Sequence, residues 1–201
     1  MSQSGTTVPV EDKNKKTIAD YVGDMVGLES HIEEALDRQL QEVKDDPVAS
    51  AAVQEFHTLV KTQRDRMKAL QEEAGTTPGN PVIKVGSALL GKAAGIIDKI
   101  RTEGISKSLR DDYTAFNLAA MGYTMLFTTA TALGDQRVAG IAEQHLRGYA
   151  GAIQKINHMI SDVVVAELLK DGHEVQGDAS AATKKVVDSA WKETDQSGSS
   201  S

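Results

Sequence analysis

The stretch IADYVGDMVGLESHIEEALDRQLQEV, residues 18–43, decides the fold. Within it Ile18, Tyr21, Val22, Met25, Leu28, Ile32, Leu36, Leu40 and Val43 recur at spacings of three and four. That spacing draws one apolar stripe down an α-helix and cannot be drawn on one face of a strand. It predicts an amphipathic helix from about Lys15 or Lys16 that ends at Asp45-Asp46-Pro47. Pro47 and Ser50 then open a second helix, in which Val53, Phe56, Val60, Met67 and Leu70 keep the same period until GTTPGNP, residues 75–81, breaks it. So short a connection between the two predicts an antiparallel hairpin.

The pattern continues to both sides of a glycine-bearing segment, Val82 to Arg101. There Val85, Leu89, Ala93, Ile96 and Ile100 share a face and Gly86, Gly91 and Gly95 permit close packing, as in a short crossing helix. A third helix is predicted over about Lys107–Leu133, rich in Ala, Gly and Thr around Leu118, Met121, Met125, Leu126 and Phe127 and stopped by Gly134. Its least polar window, Ala115 to Leu133, approaches membrane-spanning length. It also contains Asn117, Thr124, Thr128, Thr129 and Thr131 and is flanked by Asp111, Asp112 and Asp135, so a wholly buried helix with little surface in water is expected instead. A fourth helix, about Gln136–Leu169, carries Val138, Ile141, His145, Tyr149, Ala152, Ile156, Ile160, Val163 and Val164 before Gly172 ends the pattern. Ala182, Val186, Val187, Ala190 and Trp191 mark a short amphipathic helix over Ala179–Glu193, followed by a Ser/Gly tail from Ser197.

The expected architecture is all-α: an antiparallel four-helix bundle with a short crossing helix between its two hairpins. The expected domain plan is a disordered arm over residues 1–14, the bundle over 15–170 and a polar tail over 171–201. A chain of 201 residues with 40% hydrophobic content can bury one good core. The net charge of −7 opposes a phosphate backbone at long range, so no nucleic-acid partner is expected. No cysteine is present, which removes disulfides, thiolate catalysis and iron–sulfur ligation. Met1 to Lys16 lacks the apolar core of a signal peptide, so a cytoplasmic protein with no membrane partner is expected.

Glu29 and Glu33 lie one turn apart at the edge of the first stripe, where a bundle places either an inward carboxylate or a solvated flank. His57, Lys61 and Arg64 share one side of the second helix, so cations of the protein itself would fill an inward site there. His145 sits in the fourth stripe with no acidic residue at the three- or four-residue offset, and His158 lies further along the helix; both are expected to be hydrogen-bonded packing residues rather than ligands. Glu-x-x-His, the pair that carboxylate bundles use twice to hold two metals, occurs nowhere. Phosphate loops, nucleophile elbows and His-Glu-x-x-His are also absent.

Lys16-Thr-Ile-x-Asp20, Glu33-x-x-Leu36, Phe56-His57 and Thr131-Ala-Leu-Gly134, in this order of helices, resemble the YciE/YciF-like stress-associated branch of the ferritin-like superfamily over about Lys16 to Leu169. The resemblance implies a ferritin-like bundle with a di-metal site. Of the ligand positions it implies, Glu33 is kept. The second-helix pair falls on Lys61 and Arg64, the third-helix pair near Phe116 and on Asn117 to Ala119, and the fourth-helix carboxylates around Arg147 to Tyr149 and on Ile153. The expectation is therefore a metal-free relative without cofactor or catalytic residues, with an internal ion pair of Glu33 with Arg64 and, secondarily, Lys61. It would act as a homo-oligomer, a dimer, or through a protein partner. Two alternatives stand beside it: a di-iron or di-manganese oxidase or catalase-like enzyme using Glu29, Glu33, His57 and His145, and a scaffold protein that docks through the segment of Val187 and Trp191.

Overall fold

The computed structural model describes residues 10–44, 47–74 and 104–198. These are helical throughout apart from their connections, and contain no strand. The helices are α1 (Val10–Glu42), α2 (Pro47–Glu73), α3 (Ile105–Ala132), α4 (Gln136–Lys170) and α5 (Ala179–Gly198). The crossing segment expected over Val82 to Arg101 lies outside the described residues, as does the end of the Ser/Gly tail.

Helix α1 begins at Val10, inside the arm expected to be disordered. The reason is local: Glu11 and Asp12 sit in the first turn, where carboxylates face the positive end of the helix dipole. Glu11–Lys15 and Lys16–Asp20 add ion pairs at the i,i+4 spacing, 2.7 and 2.8 Å long. The turn from α3 to α4 is fixed by Gly134, whose φ of 83° a side chain would resist. That conformation returns the Asp135 N–H to the Ala130 carbonyl at 2.8 Å and the Gly134 N–H to that of Thr131 at 3.2 Å. The Asp135 side chain then caps α4 by accepting from the Val138 N–H at 3.0 Å.

The four long helices share one core, with α1 packed on α2, α3 on α4, and α1 on α3. Ile32, Leu36, Val60, Phe116 and Leu126 lie at its centre, each hidden almost completely from water. Burial of a side chain of this size contributes about 1.5–3 kcal/mol. Four rings run through the core in van der Waals contact: Phe56 meets Phe116 edge-on at 5.3 Å between centroids, Phe116 meets Tyr149 at 5.6 Å, and Tyr149 stacks on Tyr123 at 5.8 Å. Helix α2 comes close to α4 at Gly148, where a Cβ would run into the Gln63 amide.

Helix α3 departs from the expectation of near-complete burial. Phe116, Ala119, Tyr123, Leu126 and Ala130 face the core, but Leu118, Met121 and Met125 are 39, 60 and 46% exposed. Among the described residues α3 is packed by α1 and α4 on one side only, so its opposite side meets water.

Helix α5 runs past the expected Glu193 to Gly198 and leans on α4. Lys184 Nζ pairs with Asp162 Oδ2 at 2.6 Å, and the Ser161 and Ser180 hydroxyls meet at 3.0 Å. Trp191, 57% exposed, lines a cleft with Val187, Tyr113, Asn117 and Ile153. Trp191 stays more than half exposed in this cleft, and surface ion pairs such as Lys184–Asp162 contribute about 0–1 kcal/mol. Truncation before Gly177 is therefore expected to lower the melting temperature by only about 2–4 °C, the equivalent of 1 kcal/mol in a chain this long. A drop several times larger in a dichroism melt would make α5 part of the core.

Candidate functional site

The polar interior of the molecule is built on α1. Glu29 is fully buried and Glu33 nearly so, which decides between an inward carboxylate and a solvated flank. The stripe of α1 is wide enough to carry both, because Leu28, Glu29, Ile32, Glu33 and Leu36 all fall on the buried side.

Glu29 is the hub of the inner cluster. The Tyr123 hydroxyl of α3 donates to its Oε1 at 2.6 Å and the Tyr149 hydroxyl of α4 donates to the same oxygen at 3.1 Å. The Tyr123 oxygen is in turn 2.9 Å from His145 Nδ1, which acts as the donor because the phenol proton is already committed to Glu29. Oε2 of Glu29 is buried with no hydrogen-bond partner. Burial pushes this carboxyl up to about 8, against the opposing pull of both tyrosines and the nearby Arg64 charge. Burial likewise drives the Tyr123 and Tyr149 hydroxyls well above the ordinary phenol value, and lowers His145 to about 4 with a smaller push from Arg66. At neutral pH the cluster is thus a carboxylic acid, two phenols and a neutral imidazole, and it carries no net charge. A second buried carboxyl, Asp112 of α3, accepts from Gln39 Nε2 at 2.8 Å and is pushed up to about 7 by burial.

Glu33 begins the outer cluster. Its Oε2 pairs with an Arg64 guanidinium nitrogen, and Arg64 is held from outside by Asp65 Oδ1 at 2.7 Å. Both members are largely buried, with side chains 9% and 16% exposed. One turn further out, His57 Nε2 lies 2.8 Å from Asp37 Oδ1 and 3.9 Å from Glu33 Oε1. Lys61 takes no part: it is exposed and forms no ion pair among the described residues, contrary to the expected secondary role. At 100° per residue it sits roughly 140° around α2 from the centre of the buried stripe of Phe56, Val60, Gln63, Met67 and Leu70.

Of the four residues that an oxidase reading would need, the structure splits Glu29 and His145, joined through Tyr123, from Glu33 and His57. His145 is buried as expected, and its carbonyl accepts from Gln63 Nε2 at 3.2 Å. His158, expected to pack in the same way, is instead exposed at the rim of the α5 cleft, because it falls on the outer side of α4 from Tyr149, Ala152 and Ile156. The tyrosines and Asp112 were not legible as site residues. Tyr149 falls in the apolar stripe at i+4 from His145, and that spacing was the available signal.

A two-cation carboxylate centre does not fit these side chains. The positions where the resemblance places ligands hold Glu33, already paired with Arg64, the cationic Lys61 and Arg64 themselves, and residues around Phe116, Asn117 to Ala119, Arg147 to Tyr149 and Ile153, none of them a carboxylate. Four long helices around a buried carboxylic acid make the chain an all-helical protein with a polar cluster in its interior. It belongs to the family described as a domain of unknown function, DUF892, a ferritin-like type of family, whose model matches residues 15–169. No curated protein and no solved structure matches it. No helix among the described residues is long and apolar enough to cross a membrane.

Proposed function

We propose that the chain is a non-enzymatic ferritin-like antiparallel four-helix bundle of the YciE/YciF-like, stress-associated branch. It works in the cytoplasm, has exchanged a di-metal centre for protein side chains, and acts by self-association. The observation that carries this reading is the outer face of α3. Leu118, Met121 and Met125 stand exposed there, and no charged residue occurs between Asp112 and Asp135. The hydroxyls of Thr114, Thr124 and Thr128 donate to carbonyls one turn back at 3.1, 2.9 and 2.8 Å, which leaves their methyl groups outward. A contiguous uncharged face of this kind is what an interface between two copies uses. The interior supports the loss of metal chemistry, since Arg64 occupies Glu33 and the Glu29 cluster is neutral.

Two measurements test the reading. Sedimentation or light scattering should give a dimer, and Met121→Lys should weaken it by about 30-fold or more, because burying an unpaired ammonium costs at least about 2 kcal/mol. The melting temperature extrapolated to the monomer should barely move. A wild type that is monomeric at high concentration ends the self-association reading. Two equivalents of iron or manganese surviving dialysis would end the other half and favour an oxidase.

A further inference from the structure

The geometry points to a mononuclear divalent-cation site at the outer end of the α1–α2 seam, formed by Glu33, Asp37 and His57, with zinc as the ion its donors suit. It is independent of the self-association reading. It also differs from the di-metal centre that the resemblance implies, because Asp37 and His57 are not among those ligand positions.

The first support is convergence. One imidazole nitrogen and two carboxylate oxygens, each from a different side chain, lie within 4.8 Å of one another, and this is the group among the described residues that could hold an ion. Two of the three side chains come from one helix at i,i+4, so α1 presents them as a chelate and α2 supplies the third. Ligand atoms about 2.0–2.2 Å from a tetrahedral zinc are about 3.3–3.6 Å apart. The observed separations of 2.8 Å to Asp37 and 3.9 Å to Glu33 bracket that value, so small rotations of two side chains complete the site.

The second support is His57 itself. Its Nε2 is shut off from water and has no hydrogen-bond partner, although Asp37 Oδ1 is only 2.8 Å away. The contact is short but does not amount to a hydrogen bond. An orphaned buried nitrogen is costly. A cation on the axis, with the carboxylate as an adjacent ligand, satisfies both groups.

The local charge also permits it. Arg64 holds Oε2 of Glu33 and leaves Oε1 toward His57, and Asp65 neutralises Arg64 from outside. Two carboxylates therefore remain to offset the ion. The side chain of Asp37 is 62% exposed, so the outer edge of the site is reached from solvent, the side from which a fourth ligand would come. One nitrogen and two oxygens suit zinc and its neighbours late in the first row rather than magnesium or calcium, which favour all-oxygen sets.

The test is a calorimetric titration of the full chain with zinc chloride, repeated with cobalt(II) while its visible absorption is followed. Wild type should bind one zinc per chain and give the absorption of four-coordinate cobalt. Asp37→Asn and His57→Gln should each weaken binding at least tenfold, since even groups that merely orient a metal ligand are worth roughly 10–100-fold. Asp37 is exposed enough for its variant to fold, so a loss there cannot be put down to unfolding. No zinc binding by wild type, or the same affinity in both variants, overturns the site. Neither result depends on oligomeric state or on iron content, so its failure stays distinct from failure of the proposed function.

Discussion

Replacing Arg64 by Leu is expected to destabilise the chain by about 3 kcal/mol, the lower end of the penalty for stranding one half of a buried ion pair. Glu33 would keep a charge in a site 9% exposed with its main partner gone. The lower end applies because the Arg64 side chain is 16% exposed, so the rim of the site reaches solvent. Replacing both residues by Leu should cost much less than the two single losses together, since neither charge is then stranded. The coupling read from urea unfolding of the four proteins should be about 2 kcal/mol, within the range for residues in contact. If the single losses simply add, Glu33 and Arg64 do not interact and the account of a protein cation standing in the metal position collapses.

How much of this was legible follows from where each signal lives. The stripes of α1, α2 and α4 are written in the period of Ile18 to Val43 and its later counterparts, because burial on one face of a helix forces that spacing. Arg64 opposite Glu33 was reached through the ligand positions that the resemblance implies, helped by the shared side of His57, Lys61 and Arg64 on the second helix. The side of α3 that meets water was not. Alanine, glycine, threonine and methionine suit both a buried face and an interface, so composition along Leu118 to Met125 could not say whether an element covers it. The Glu29 cluster escaped for a different reason. Tyr123 and Tyr149 read as apolar packing residues, and only the three-dimensional meeting of α1, α3 and α4 turns their hydroxyls onto one carboxyl oxygen. Hydrogen bonds across ninety-four and one hundred and twenty residues leave no local trace.

That cluster predicts a protein that weakens as pH rises from about 4.5 to about 8. Glu29 keeps its proton up to about pH 8 in the folded chain but loses it near 4.5 when unfolded. Between those values the folded state binds the extra proton, so stability must fall as pH rises, and the loss is complete only above pH 8. At about 1.4 kcal/mol per pH unit the interval from 4.5 to about 8 corresponds to about 5 kcal/mol, a large part of the 5–15 kcal/mol that holds a typical domain together. Asp112, raised from 3.8 to about 7, acts in the same direction. His145 acts in the opposite one: lowered from 6.5 to about 4, it costs stability as pH falls through that window, and it offsets part of the carboxyl slope below pH 6.5. The Glu29 contribution is isolated by Glu29→Gln, which keeps an oxygen for the two phenols and cannot ionise. In urea titrations at pH 5, 7 and 9, the variant should gain on wild type steadily with pH, by several kcal/mol across the series, and should be the more stable of the two at pH 9. A difference between the two proteins that stays constant from pH 5 to 9 would mean that Glu29 is ionised at neutral pH. The interior would then hold a buried anion facing Tyr123 and Tyr149, and the neutral cluster that supports the loss of metal chemistry would have to be abandoned.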